Sequence, residues 1–372
     1  MRLALRELRR RPNRFAVATV ILTLIALLLM FLGGLLDGLE AGSTGALRRQ
    51  PADALVFADG AEGSLVRSRL SSEVRDAVAE VVGDDRVGGL GSVQLGARLD
   101  GREPRDLVPV VLFGYELAPD GLPEGGPAAG EVYADTSLEA EGVAQGTVLR
   151  LGPARSEVRV VGFIDDARYS GQASLWGSID TWRAVLGDNR PSARVGEGTV
   201  QALVVRDDAG RGGAELVEAL DAAGDGATES FTVDGAIDAL PGLAQQRTTF
   251  GQIIGVTVVI AIVVVALFFA LLTVERTGLY GVLKALGAGS GSLFAGVLLQ
   301  AVVVTAVASA VGIAASLLLD AVIPAGSLPF TVTPARLVSS VAALLVAAIA
   351  GVAFSLRRVL RVDPASAIGG AQ

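Results

Sequence analysis

Residues 253–274 read IIGVTVVIAIVVVALFFALLTV, from Ile253 to Val274, and hold no charged side chain. At the helical rise per residue, a run of this length covers about 33 Å, enough to cross a hydrocarbon core of about 30 Å. Three more charge-free runs of similar length stand at residues 15–36, 290–319 and 337–356. Core helices of soluble proteins seldom run so far without one charge. The chain is therefore predicted to be an α-helical membrane protein with four transmembrane helices.

Composition agrees and removes several function classes. Of 372 residues, 51% are hydrophobic and 19% charged, with a mean hydropathy of +0.54, too apolar for a disordered chain. There is no cysteine and no histidine, so disulfides, thiol catalysis, Cys/His metal sites and Ser-His-Asp triads are excluded. The first run follows Arg2, Arg6, Arg9, Arg10, Arg11 and Arg14, which resembles the basic start of a signal peptide. Its length exceeds the usual apolar segment of about 7–15 residues, so it is expected to be a retained anchor.

Arginine placement sets the expected orientation. Residues 1–14 carry net charge +5, residues 275–292 net +1, and the tail 357–372 net +2. Residues 37–249 carry net −16, and the loop 320–336 is neutral. Both termini and the segment 275–289 are expected in the cytoplasm. Residues 37–249 and 320–336 are expected outside, in a cell membrane.

The outside segment reads as a mixed α/β domain inserted between helices 1 and 2. Strands are predicted at Ala54–Ala58, Leu107–Tyr115, Thr147–Leu151, Glu157–Ile164 and Thr199–Val205, with a last short one around Phe231 and Val233. Helices are predicted over Ser71–Val82, Ile179–Leu186 and Gly213–Ala223. A further helix over Ala236–Gln252 is expected to run into the second span, broken at Pro241 and Gly242. The pairs Asp84-Asp85, Asp165-Asp166 and Asp207-Asp208 read as solvated turns, because the alternating spacing of a calcium loop is missing. Gly88-Gly89-Leu90-Gly91 reads as a turn that only loosely resembles a phosphate loop. No catalytic, cofactor-binding or metal-ligating residue is assigned, and no nucleic-acid partner is expected.

Between spans two and three, Leu279, Val282, Leu283 and Leu286 fall at i, i+3, i+4 and i+7, one apolar stripe of a short amphipathic helix. Arg276, Tyr280 and Lys284 recur on another face, and Gly287 and Gly289 are expected to end the helix. Lys284 is the only lysine and is flanked by Leu283 and Ala285, so a Walker A loop is impossible. Any ATP hydrolysis must come from a partner. The third span is rich in small residues, among them Ala295, Gly296, Ala308, Ser309 and Gly312, which permits close helix approach. No span carries an ionisable residue at its centre, which counts against ion-coupled transport.

The string ERTGLYGVLKALGAGSGSLFAGVLLQ (Glu275–Gln300) resembles the hallmark of the MacB/FtsX-like permease family of ABC transporters. Glu275, Arg276, Gly278, Leu283, Lys284, Ala285, Leu286, Gly287 and Ala288 match the family pattern of an acidic-basic pair, a glycine and an apolar-Leu-basic-Ala-apolar-Gly-Ala run. Val362–Ile368 is similar to the family's closing motif, and Leu5–Pro12 to its basic amphipathic entry helix. The outside domain resembles the MacB-type periplasmic core and that of DevC-like exporters.

The resemblance implies a permease subunit that works as a homodimer with two copies of a cytoplasmic ABC ATPase. ATP and magnesium would be bound by that ATPase, the chain itself being no enzyme. Glu275, Arg276, Gly278, Leu279, Val282, Leu283, Lys284, Leu286 and Gly287 would form the ATPase-coupling segment. Its leucines and valine would sit in a groove of the partner, and Arg276 and Lys284 would meet acidic groups or lipid phosphates. The expected role is export or extrusion of a hydrophobic or lipid/peptide-like substrate by mechanotransmission, with an extracytoplasmic adaptor as a further partner. The alternatives are an FtsX-like regulator that activates an extracellular cell-wall enzyme, and a membrane-anchored sensor without an ATPase.

Overall fold

The computed structural model describes residues 12–101, 103, 105–124, 126–275, 282, 289–323 and 328–359. The chain divides into two compact units, Met1–Gly38 with Arg247–Gln372, and Leu39–Gln246.

Four long helices supply the first unit: α1 (Pro12–Arg48), which continues into the second unit, α6 (Leu243–Val274), α7 (Ser290–Val322) and α8 (Pro334–Val359). Each is long and apolar enough to cross a membrane. One apolar cluster joins all four, with Leu22, Ala26 and Leu29 of α1 meeting Ala261, Val265 and Phe269 of α6, Ala301, Val304 and Ala308 of α7, and Leu344, Ala348 and Val352 of α8. In hydrocarbon such packing rests on close backbone approach rather than on exclusion of water. Two glycines permit it. A methyl group on Gly312 of α7 would stand 3.0 Å from Ala26 Cβ, and one on Gly351 of α8 would stand 2.8 Å from the Ile262 carbonyl oxygen. The small residues of the third span do not share one face: Ala308, Ser309 and Gly312 are buried, whereas Ala306, Ala310 and Ala314 are exposed. A row of apolar side chains on α6, including Val256, Val263, Leu267 and Leu271, is left uncovered, as lipid contact requires.

The second unit is built on nine strands: β1 (Ala54–Ala58), β2 (Val87–Arg98), β3 (Val108–Tyr115), β4 (Glu131–Asp135), β5 (Val148–Leu151), β6 (Ser156–Ile164), β7 (Ala173–Ser178), β8 (Ala202–Val205) and β9 (Thr228–Phe231). Their order is β3-β7-β4-β6-β5-β2-β8-β1-β9, and β2 also pairs with β3. Six strands thus close a ring, β2-β3-β7-β4-β6-β5 and back to β2. The seam between β5 and β2 is short, Ala97 with Leu151 and Arg98 with Arg150. β2 belongs to both halves of the sheet. Its middle pairs with β3, and its first four residues pair with β8.

Alternation along the strands divides the core. Val93, Val110, Leu112, Val132, Val160 and Leu175 enter one cluster, joined by Trp182, Val185 and Leu186 of α3 (Ile179–Asn189). Val111, Phe113, Tyr115 and Trp176 point the other way and pack with Leu55, Phe57, Ala46 and Leu47. Phe113 stacks on Trp176 at 4.5 Å between ring centres. A third cluster lies beneath α2 (Ser72–Val82) and α4 (Gly213–Ala223), with Val78, Leu216 and Leu220 against Val56, Leu203 and Val205.

Three expectations are corrected. Gly88–Gly91 is no turn but the buried start of β2, because its neighbours occupy the space a side chain would need: a methyl on Gly88 would reach Leu117 at 2.5 Å, and one on Gly89 would reach Val200 at 2.5 Å. Val233 is not in a strand. It opens the short helix α5 (Val233–Asp238), capped by Thr232, whose hydroxyl accepts from Gly235 N. Asp207 and Asp208 are not merely solvated, for Asp207 is bound by Arg211 and Asp208 pairs with Arg86. β4 and β7 had no counterpart among the predicted strands. The break before the second span is as expected: α5 ends at Asp238, Gly242 has φ +85°, and α6 begins at Leu243.

Candidate functional site

Of the coupling segment, the described residues are Glu275, Val282 and Gly289. Arg276, Gly278, Leu279, Leu283, Lys284, Leu286 and Gly287 lie outside them. Glu275 follows α6 in a turn and its amide donates to Leu271 O at 3.1 Å. Val282 is helical and 58% exposed. Gly289, with extended backbone, is the N-cap of α7.

Two joints on α1 come from residues that the sequence did not single out. The first is at the end of the apolar run. Arg336, in the first turn of α8, places Nε 3.2 Å from both carboxylate oxygens of Asp37, and its Nη2 also bonds Oδ1. Thr333 Oγ1 donates to Asp37 Oδ2 at 2.9 Å and accepts from Arg336 N at 3.2 Å. Both charged side chains are mostly buried, which favours such a fork only because the carboxylate is fully used. Glycines make room: a methyl on Gly33 would meet Arg336 Cδ, and one on Gly38 would meet Pro329 O. Phe330 stacks on Phe31 at 5.5 Å, and Thr331 N donates to Gly34 O at 3.1 Å. The stretch 329–336 is thereby strapped to α1.

The second joint lies where α1 continues past its apolar run. Its backbone there is bonded by the loop between β6 and β7. Gly171 N donates to Gly42 O at 3.0 Å, Ser170 N to Ser43 O at 3.1 Å, and Ala46 N to Arg168 O at 3.0 Å. The approach is possible because position 45 has no side chain, since a methyl there would stand 2.4 Å from Asp166 O. The loop is itself fixed by Asp135, which is buried and accepts from Ala167 N at 2.9 Å and Ser137 N at 3.0 Å. Past the helix end, Asp120 N donates to Arg49 O at 2.8 Å. Glycines at 33, 34, 38 and 45 were the available signal, each standing where a side chain would strike a packed neighbour.

Electrostatic perturbation is modest. Burial pushes the Tyr169 phenol up to about 12, and burial first, then Tyr133 and Glu124, does the same for Tyr115. The Arg211 guanidinium holds the Asp207 carboxyl down at about 2. Among the described residues no group of three or more acidic side chains could hold a metal ion.

Residues 252–364 match the family described as FtsX-like permease C-terminal. The chain carries an FtsX-like permease domain. Its match takes in α6 from residue 252 onward, α7, α8 and the whole segment 275–289, the stretch whose motif carried the resemblance. Along its full length the chain is 20% identical to a Staphylococcus epidermidis protein named as the hemin transport system permease HrtB, covering 100% of each. Over 112 residues it is 35% identical to a Mycobacterium tuberculosis protein named as an ABC transporter permease, covering 30% of this chain and 31% of that one. Residues 252–364 thus belong to the FtsX-like permease C-terminal family, and four of the described helices are long and apolar enough to cross a membrane. Two solved structures are also similar. The periplasmic region of MacB from Actinobacillus actinomycetemcomitans has a TM-score of 0.34 at 14% identity, covering 50% of this chain and 92% of that one. The extracellular domain of the transporter YknZ from Gram-positive bacteria has a TM-score of 0.33 at 11% identity, covering 48% and 98%.

Proposed function

We propose that this FtsX-like permease is a mechanical transmitter, driven by a separate cytoplasmic ATPase that binds residues 275–289. Leu279, Val282, Leu283 and Leu286 are the anchors, and Arg276 and Lys284 the flanking charges. Two copies of the chain work with two ATPases, both termini are cytoplasmic, and residues 37–249 are extracytoplasmic. The observation that supports this most is α1, helical without interruption from Pro12 to Arg48 and bonded by its backbone to the loop 166–171. A helix so held passes a displacement on instead of absorbing it in a flexible linker.

The cargo we propose is hydrophobic, lipid-like or peptide-like, moved on the outer side of the membrane. The relative named for hemin transport has a cargo of hydrophobic character. This chain has no histidine or cysteine, so an iron ligand here would have to be methionine, tyrosine, lysine or a carboxylate. Hemin is the natural first compound to test, with an acylated peptide as the iron-free alternative. Replacement of Leu283 by Asp tests the coupling. Insertion should be unchanged and stimulation of the partner ATPase abolished in reconstituted complexes. Unchanged stimulation would refute docking through this segment.

A further inference from the structure

The second unit contains a cavity of about 410 Å³, between the clamped part of α1, the loop at 64–66 and the start of α6. The volume is in the range of small-molecule sites, about 300–1,000 Å³. Its lining is unusual for this domain. Residues 37–249 carry net charge −16, yet among the described residues no Asp, Glu, Lys or Arg lines the cavity. The lining includes the hydroxyl residues Ser43, Ser64 and Ser170 and the amide residues Gln94 and Gln246. It also includes the apolar residues Leu65, Val66, Leu240 and Leu243.

Tyr169 adds a phenol to this lining. It lines the cavity, is only 7% exposed, and its ring packs edge-on against Phe113 at 5.4 Å. Its hydrogen bonds are those of its backbone to Gln172, and the phenol oxygen has no partner among the described residues. Unlike the phenol of Tyr115, this oxygen is open to solvent, so it is free to donate to an occupant of the cavity. Burial raises the phenol pKa to about 12, so the group is a neutral donor throughout the physiological range.

We propose that this cavity is a binding site for an uncharged amphiphile, an alkyl or ring body against Leu65, Leu240 and Leu243 with a hydroxyl, ether or amide head that accepts from Tyr169. A charged head has no counter-ion in the lining and its desolvation would go uncompensated. The site is distinct from the coupling segment and does not depend on the transmission reading. Ser43 and Ser170 also take part in the α1 clamp through their backbones, so an occupant touches the joint that holds α1.

The test uses the full-length chain in phosphatidylcholine nanodiscs. The protein lacks cysteine, so Val66→Cys, at an exposed position on the cavity, takes a single polarity-sensitive dye. The probe is 1-decanoylglycerol, with decanoate and decyltrimethylammonium as charged analogues. A saturable response to decanoylglycerol is expected, and at least tenfold higher half-saturation for either charged analogue. Tyr169→Phe, which keeps the ring and removes the hydroxyl, should raise the half-saturation about fivefold, the effect of one neutral hydrogen bond. Ser64→Phe should fill the cavity and abolish saturation. A response that rises without saturating, equal binding of the charged analogues, or an unchanged half-saturation in Tyr169→Phe would overturn the proposal. Should Ser64→Phe fail to fold, the Tyr169 variant and the analogues decide.

Discussion

Gly91 and Gly114 face each other across β2 and β3, and the same residue, Trp182, lies against both, with its ring at Gly91 and its Cβ at Gly114. A methyl on Gly91 would stand 2.4 Å from the Trp182 ring, and one on Gly114 would stand 2.4 Å from Trp182 Cβ. The pair is therefore a seat, and α3 reaches the strands because both positions are bare. Gly91→Ala or Gly114→Ala should each destabilise the second unit by about 1–3 kcal/mol through overpacking. Trp182 is one of two tryptophans, so denaturant unfolding followed by intrinsic fluorescence measures the loss directly. Combining Gly91→Ala with Trp182→Leu should recover part of the Gly91 effect. If the two losses simply add, the seat has been misjudged.

The Asp37–Arg336 fork should behave as a coupled unit. Arg336→Ala leaves a mostly buried carboxylate without its cation, and Asp37→Ala does the converse. Each should cost about 2–4 kcal/mol in thermal unfolding of the reconstituted protein, and the double variant less than the sum. Strict additivity would mean that the fork contributes no pairing energy.

Gly45 is the position where the clamp on α1 can be broken from one atom. Gly45→Val should push the loop at Asp166 away from α1 and weaken the bonds at Gly42, Ser43 and Ala46. The expected result is normal insertion and normal ATPase binding with at least tenfold less transport. Transport at the wild-type level would separate the clamp from function.

The Asp207–Arg211 pair gives a sign for acid behaviour. The Asp207 carboxyl is held at about 2 when folded, below its ordinary value of about 3.9. The pair's contribution is thus complete above about pH 4 and fades as pH falls towards 2. The difference in unfolding midpoint between the wild type and Asp207→Asn should be constant near neutrality and shrink across that acid window. A difference that grows on acidification contradicts the assignment.

The spans were legible because hydrocarbon leaves so few options: a charge-free run of about 20 residues has to be a helix. The hairpin motif was legible for another reason, since its residue order is specific, and the family match contains it. β2 was not, because four glycines at 88, 89, 91 and 96 look like turns until Leu117, Val200, Trp182 and Leu107 are seen to fill the vacated space. Local preference lost there to tertiary packing. Val233 was misplaced because β-branched residues suggest strands, while the Thr232 cap that starts a helix one residue earlier carries a weaker signal. The joints on α1 are non-local. Asp37 and Arg336 are 299 residues apart, and neither neighbourhood alone announces the other.

The ring gives each of its six strands a neighbour on both sides, with the β5–β2 and β4–β7 seams only two residue pairs long. Strand addition from a neighbouring molecule, the usual beginning of fibre growth, then finds one strand with a wholly unpaired side among the described residues, β9. That border is four residues long, too short to template a growing stack. A protein made in quantity with its second unit intact should accordingly fail by collapse of its lipid-facing helices, and the remedy during purification lies in the choice of amphiphile.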